Sequence, residues 1–281
     1  MNIFEKISQK PVYFDGAIGT VIQSLDIEIS GVPEELNITN SEHIAAIHAN
    51  YILSGCDIIT TNTFGANSYK LKDSNYSLKE VVCAAIKNAK TAVCGGEALI
   101  AYDIGPIGKM MKPIGTLTFD EAYNYFKEQV DLLEDGSVDL VIIETMADLN
   151  EARAAILAVK ENSKLPVFAT MTFAEDGRTI TGTTPEIMVA CFEALGVDAL
   201  GVNCSLGPQQ LLPIIKTITD VATKAVIVQA NAGIPRSSMG ETVFSVSSSE
   251  YTRFAAKFIA LGVSIIGGCC GTNYDYMREL I

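Results

Sequence analysis

Val138-Asp139-Leu140-Val141-Ile142-Ile143, running directly into Glu144-Thr145-Met146, is the stretch whose reading decides the fold. A short, nearly continuous apolar run without clean polar alternation is a strand buried on both faces, and such strands belong to parallel sheets. Seven further runs share the pattern: Val12-Tyr13-Phe14, Asp57-Ile58-Ile59-Thr60, Ala98-Leu99-Ile100-Ala101, Val167-Phe168-Ala169-Thr170-Met171, Ala199-Leu200-Gly201-Val202, Ala225-Val226-Ile227-Val228 and Val263-Ser264-Ile265-Ile266. They recur at the spacing of one strand–helix unit. Helical patterns fill the intervals. Residues 41–54 open on a Ser41-Glu42 cap, residues 119–134 follow Thr118 as cap, and 150–160 are Ala-rich. Thr184-Pro185 starts another helix with Pro at its first position, and 248–261 lead into the last strand.

Eight strand–helix units in a chain of 281 residues predict a single-domain (β/α)8 TIM barrel spanning 1–281. A doubly wound open sheet is the alternative, although five or six strands would suit it better. After the eighth run only residues 274–281 remain, so the closing helix is short or the chain is part of something longer.

Barrel chemistry gathers where strands end at their C-terminal side. Those ends are polar here. Asp15-Gly16-Ala17 follows the first run, Thr61-Asn62-Thr63 the second and Asp103-Ile104-Gly105-Pro106 the third. Glu144-Thr145 follows the fourth, Thr172-Phe173 the fifth, Asn203-Cys204 the sixth and Asn231-Ala232-Gly233 the seventh. Gly267-Gly268-Cys269-Cys270-Gly271-Thr272 closes the series. A disulfide between vicinal cysteines closes a strained ring, whereas a sharp glycine-assisted turn lets both point at one metal ion. With Cys204 they offer three thiolates and one open position, the arrangement of a catalytic zinc. Soft sulfur ligands select zinc over calcium or magnesium, and iron–sulfur clusters usually take four cysteines. Three unrelated core cysteines are the plain alternative. A zinc so rich in negative ligands suits the lowering of a substrate thiol's pKa better than the polarisation of water.

Composition narrows the class. Hydrophobic residues are 48% and charged residues 19% of the chain, which describes a well-buried globule. The net charge of −13 argues against nucleic acid or an anionic membrane as partner. No apolar stretch reaches the roughly 18 residues of a membrane span, and the N-terminus lacks a signal pattern. The seven cysteines lie within apolar runs rather than in a secreted disulfide framework, which points to a reducing cytoplasm. Cys56, Cys83, Cys94 and Cys191 read as buried small hydrophobes, and His43 and His48 as residues of a helix face.

The segments Asp15-Gly16-Ala17-Ile18-Gly19-Thr20, Thr61-Asn62-Thr63-Phe64-Gly65-Ala66-Asn67, Gly201-Val202-Asn203-Cys204 and Gly267-Gly268-Cys269-Cys270-Gly271-Thr272, in this order, resemble the homocysteine S-methyltransferase family. Asp103-Ile104-Gly105-Pro106-Ile107-Gly108-Lys109 and Thr172-Phe173-Ala174-Glu175-Asp176-Gly177-Arg178-Thr179 resemble its branch that forms the homocysteine module of cobalamin-dependent methionine synthase. The resemblance implies one zinc per chain on Cys204, Cys269 and Cys270, with homocysteine as substrate and methionine as product. It implies that Asp15 and Glu144 hold the ammonium group of homocysteine through charge-assisted hydrogen bonds. Backbone N–H groups at Gly16 and Ala17, or near Thr61 and Thr63, would take the carboxylate. Asn231 could lend its amide oxygen to zinc in the absence of substrate, and it also reads as a turn-stabilising asparagine. In this branch the methyl group sits on methylcobalamin, so a corrinoid-carrying protein or module is the expected partner, bound outside this chain. Free donors (S-methylmethionine, S-adenosylmethionine or a betaine) are the rival enzyme reading, and a non-catalytic zinc- or redox-binding protein is the rival of another class.

Overall fold

Every one of the eight apolar runs becomes a barrel strand in the computed structural model, which describes residues 3–25, 27, 31–238 and 241–281. The strands are β1 (Val12–Tyr13), β2 (Ile58–Thr60), β3 (Leu99–Ile104), β4 (Leu140–Met146), β5 (Val167–Met171), β6 (Ala199–Asn203) and β7 (Ala225–Ala230). A small antiparallel hairpin follows, β8 (Arg236–Ser238) with β9 (Glu241–Val243), and β10 (Ile265–Gly268) is the eighth barrel strand. All barrel pairs are parallel, in the order β1-β10-β7-β6-β5-β4-β3-β2. A parallel bridge between Phe14 and Ile58 joins the two ends and closes the cylinder. The fold is a single-domain (β/α)8 barrel.

The outer helices include Ser41–Leu53, Phe119–Val130, Leu149–Asn162, Pro185–Ala194, Ser248–Ala260 and the closing Tyr274–Leu280. Thr118 caps its helix as expected, in a reciprocal box with Glu121. The expected Ser41 cap is absent. A preceding helical turn, Leu36–Thr39, runs straight into this helix, so Asn40 occupies the cap position and Ser41 is already helical. Two more helices, Leu78–Val93 and Pro208–Val221, complete the ring of packing around the sheet. Among the described residues, no helix is long and apolar enough to cross a membrane.

Strand alternation sorts the side chains into two cores. One face meets the helices. The other fills the lumen with Val12, Phe14, Ile58, Ala101, Ile142 and Phe168, among others, and the N-terminal helix Ile3–Gln9 adds Ile3 to this cluster. The lumen is thus apolar through its lower layers, and its character changes toward the C-terminal mouth. Continuing each strand by two residues on the lumen face replaces Ala101 by Asp103, Ile142 by Glu144, Phe168 by Thr170 and Ile227 by Gln229.

The opposite, N-terminal end carries a repeated device. Asp57, just before β2, accepts from the Tyr13 N–H at 3.1 Å; Asp139, before β4, accepts from Ile100 at 2.7 Å; Asp198, before β6, accepts from Val167 at 2.8 Å. Each carboxylate ties the start of one strand to the strand before it. Asp57 also pairs with Lys6 at 3.3 Å, anchoring the N-terminal helix. The repeated bond at this end serves stability rather than chemistry. Asp57→Ala is therefore expected to cost about 1–2 kcal/mol and lower Tm by a few degrees in thermal unfolding. Metal content should not change.

Candidate metal centre and substrate site

Cys204 lies just beyond β6, and Cys269 and Cys270 just beyond β10, on strands separated only by β7. Their three sulfur atoms lie within 4.8 Å of one another, with Cys204 Sγ and Cys270 Sγ 3.8 Å apart. Backbone hydrogen bonds to the intervening strand fix all three. Cys204 donates to Gln229 O at 3.0 Å, Cys269 donates to Ala230 O at 2.8 Å, and Ala232 donates to Cys270 O at 2.8 Å. The turn that brings both vicinal cysteines to Cys204, with Cys270 the exposed member, needs its glycines. Gly271 has φ +84°, and a Cβ on Gly268 would fall 2.2 Å from Thr272 Oγ1. Thr272 earns that close approach: its hydroxyl donates to Cys269 O at 2.7 Å and accepts from Ala17 N–H at 3.2 Å, joining the cysteine turn to the first strand end. Cys204 and Ser205 are both left-handed, with φ +60° and +56°. Such backbone is uncommon outside glycine and clusters at functional sites.

The thiols are electrostatically unequal. Cys270 is held far below the usual thiol range, at about 3, because Cys204 and Cys269 both hydrogen-bond to its sulfur. The Cys269 thiol is pushed up, first by its hydrogen bonds with Cys204 and Cys270 and then by burial. Three thiols this close share their protons, and a cation bound among them would take the protons' place. Asn203 supports it from below. Its Nδ2 lies 4.0 Å from Cys269 Sγ and donates to Thr145 Oγ1 at 2.8 Å, while its Oδ1 accepts from Thr145 N–H and Thr170 Oγ1, each at 2.8 Å. Asn231 Oδ1 is buried and has no hydrogen-bond partner. Three convergent sulfurs with an orphaned amide oxygen at the adjoining strand end fit a tetrahedral zinc site.

The carboxylates occupy the same mouth. Asp15 is buried and accepts from Thr60 N–H at 2.8 Å and from Thr60 Oγ1 at 3.1 Å. Burial raises its carboxyl to about 8, the Thr60 bonds notwithstanding, and the nearby Glu144 adds to the rise. Glu144 is half-buried; desolvation lifts it to about 7, with Cys204 contributing, against a lowering by the Gln229 amide 3.5 Å away. Among the described residues neither carboxyl has an ion-pair partner within 4 Å. Linkage fixes the sign of the consequence: a carboxyl raised above its unfolded value of about 3.9 destabilises the fold progressively as pH climbs toward the folded value. Asp15→Asn should gain stability relative to the wild type as pH rises from about 4 to about 8, by up to several kcal/mol. Paired melts at pH 5 and pH 8 measure this; an unchanged difference would show Asp15 to be already compensated.

The remaining expected residues divide. Gly16 and Ala17 sit beside the cysteine turn, and a Cβ on Gly16 would lie 2.9 Å from Tyr51 Oη. Thr61 and Thr63 are fully buried, and their polar groups are spoken for: Thr61 N–H donates to Ala101 O at 2.9 Å, Thr63 N–H to Thr61 O at 2.8 Å, and their hydroxyls meet at 2.7 Å. In the free chain these groups brace the neighbouring strand, with Thr61 Oγ1 accepting from Asp103 N–H and Thr63 Oγ1 donating to Asp103 O. Cys56 is buried as expected, but Cys83 and Cys94 are exposed. Cys83 is on the outer face of helix Leu78–Val93 and Cys94 is its left-handed C-cap, φ +45°. His48 is buried and His43 exposed on one helix, away from the strand ends. Gln229 is a site residue that the sequence reading did not name, and Asn203, quoted there beside Cys204, was given no role. Their signal was a lone amide side chain at the end of an apolar strand.

A parallel (β/α)8 barrel with a three-cysteine cluster and buried carboxyls at its C-terminal mouth defines the class: a barrel with a candidate thiolate metal centre. The homocysteine S-methyltransferase family model matches residues 12–281. The chain belongs to that family. It is similar to the methionine synthase of Mycobacterium leprae, 28% identical over 298 aligned residues, and to that of Mycobacterium tuberculosis, 29% identical; each alignment covers 99% of this chain and 25% of the relative. The chain thus spans about a quarter of the length of these curated relatives. Among solved structures, the fold is similar to the homocysteine methyltransferase MmuM from Escherichia coli in its metallated form (TM-score 0.82, 18% identity, 97% of this chain and 96% of that one) and its oxidised form (TM-score 0.83, 18% identity, 99% and 97%).

Proposed function

We propose that this chain, as a homocysteine-binding barrel domain over residues 1–281, holds one zinc ion on Cys204, Cys269 and Cys270 and methylates the sulfur of homocysteine to give methionine. The observation that carries the reading is the juxtaposition of three sulfurs within 4.8 Å of one another with carboxyls at the same mouth raised to about 8 and about 7. Family membership supplies the substrate class. Bound zinc would supply a Lewis-acid centre at which a thiol stays deprotonated near neutral pH.

The chain's own residues do the rest. Asp15 and Glu144 receive the substrate's ammonium group, whose positive charge favours ionisation of both carboxyls and binds through them. Thr60 keeps Asp15 oriented, and Asn203 holds Cys269 from the lumen side. Asn231 would complete the metal's coordination through its free Oδ1 in the absence of substrate. The apolar lower lumen leaves a polar mouth above it, where the substrate is fixed with its sulfur beside the cysteines. In the transfer, a bond forms from the substrate sulfur to the methyl carbon while that carbon's bond to the donor breaks. The thiol proton passes to solvent and the donor retains the electron pair of the broken bond.

The donor in this reading is methylcobalamin, carried by another module or polypeptide, since the methionine synthases that the chain resembles are about four times its length. One observation favours a second reading with a free donor such as S-methylmethionine. The Escherichia coli homocysteine methyltransferase is covered over 96% of its length by this chain, so a barrel of this size stands alone there. Single-turnover assays with methylcobalamin, S-methylmethionine, S-adenosylmethionine and betaine separate the two. Methionine formed from methylcobalamin is expected; methionine formed only from a free donor would overturn the corrinoid assignment.

A further inference from the structure

We propose that Asp103 is a third carboxylate of the substrate site, facing the α-ammonium group of the amino-acid thiol and making the site selective for a substrate that carries it. The proposal rests on the homocysteine reading above and adds a specificity-determining residue to it.

Two features of the sheet place the side chain in the lumen. Ala101, two residues earlier on β3, belongs to the lumen cluster, and residues two apart on a strand share a face. Asp103 is also paired in register with Ile142 of β4, another lumen residue, and laterally paired residues of parallel strands point to the same side. Glu144 follows Ile142 by two residues on that same face. The Asp103 carboxyl therefore shares the polar upper lumen with Glu144.

Its backbone is held with care while its side chain is not. Asp103 N–H donates to Thr61 Oγ1 at 3.1 Å, and its carbonyl accepts from Thr63 Oγ1 at 2.7 Å. Yet Asp103 is only 5% exposed and its Oδ1 has no hydrogen-bond partner. A second, uncharged group tells the same story. Gln229, 3% exposed, gives its Nε2 to Glu144 and leaves its Oε1 unpartnered. Both orphans are acceptors. What this lumen lacks is donors, and buried acceptors left unsatisfied are costly.

No protein cation fills the need. Lys70 is the basic side chain whose field reaches Asp103, but among the described residues no ion pair within 4 Å joins them. Its Nζ rests 5.4 Å from the centroid of the Phe64 ring. Burial first, then the charges of Glu144 and Asp15, push the Asp103 carboxyl well above the carboxylate range, so the three acids strain one another until a positive charge enters. A primary ammonium brings that charge and three N–H donors. A thiol without the amine would leave all three acids uncompensated. A site built around buried acceptors rejects the analogue that lacks the donor far more strongly than it rejects a difference in apolar bulk.

The test is calorimetric titration of the zinc-loaded chain with L-homocysteine and with 4-mercaptobutyrate, the same thiol without its amine, for wild type, Asp103→Asn and Asp103→Ser. Homocysteine should bind about tenfold or more weakly to both variants, 4-mercaptobutyrate equally to all three proteins, with one zinc retained and no loss of thermal stability. Equal losses for both thiols, or no loss for homocysteine, would overturn the assignment. Failure of the wild type to bind homocysteine would instead overturn the function proposed for the chain.

Discussion

Cys269→Ala is expected to reduce bound zinc from one per chain to almost none after dialysis. The three sulfurs lie within 4.8 Å of one another, and beyond them only the Asn231 amide oxygen is proposed as a further ligand. Loss of a supporting group beside a metal ligand commonly lowers metal affinity 10- to 100-fold, and loss of a ligand itself should exceed about 100-fold. The variant should still fold. Cys269 is bound to Ala230 O through its backbone, which alanine keeps, and the lumen core beneath is untouched. Removing the exposed Cys83 or Cys94 provides the comparison, since neither is near the cluster. Zinc measured by atomic emission should fall in Cys269→Ala and stay at one per chain in the other two. Stoichiometric zinc in Cys269→Ala would remove the thiolate centre from the account.

The second large effect belongs to Asp15→Asn, which should weaken homocysteine binding by about 10- to 100-fold while zinc is retained. The estimate follows from the loss of a charge-assisted hydrogen bond, about 1.5–3 kcal/mol. Thr60 can still hold the asparagine's amide oxygen, so the fold has no reason to change. The carboxyl that burial has raised to about 8 is a burden on the free protein and an asset only when an ammonium group arrives. One substitution should therefore stabilise the unliganded chain near pH 8 and disable binding, the pattern of a residue kept for function rather than for folding. Glu144→Gln should act in the same direction and also leave zinc in place. Equilibrium dialysis of homocysteine against the zinc-loaded proteins reads both effects. Unchanged affinity in Asp15→Asn would remove Asp15 from the substrate site, and no homocysteine binding by any of the zinc-loaded proteins would favour a zinc- or redox-binding protein without this substrate.

The barrel is legible in the sequence because strands buried on both faces are written as apolar runs, such as Leu140-Val141-Ile142-Ile143, that no other element imitates at this spacing. Caps were less certain. Thr118 is a cap because an extended residue precedes its helix, whereas Ser41 is not, because a helical turn runs into it. Helix Pro208–Val221 carries Pro213 in its interior, which obscures its helical reading. Cys204, Cys269 and Cys270 are legible because few residue types bind soft metals and their strands are near neighbours. Thr61 and Thr63 are harder to read for the opposite reason. Threonine at a strand end suits a substrate contact and a backbone brace equally, and the sequence does not show the bonds to Asp103 that the structure does. Asp103 itself is visible in sequence as a strand-end acid. Its unpartnered oxygen is not, because that depends on which side chains fail to reach it.

The most direct test of the central claim is calorimetric titration of L-homocysteine into the fully reduced chain, with and without one equivalent of zinc. The account predicts one homocysteine bound per chain with zinc present, and binding too weak to measure without it. Equally strong binding with and without zinc, or none under either condition, would contradict it.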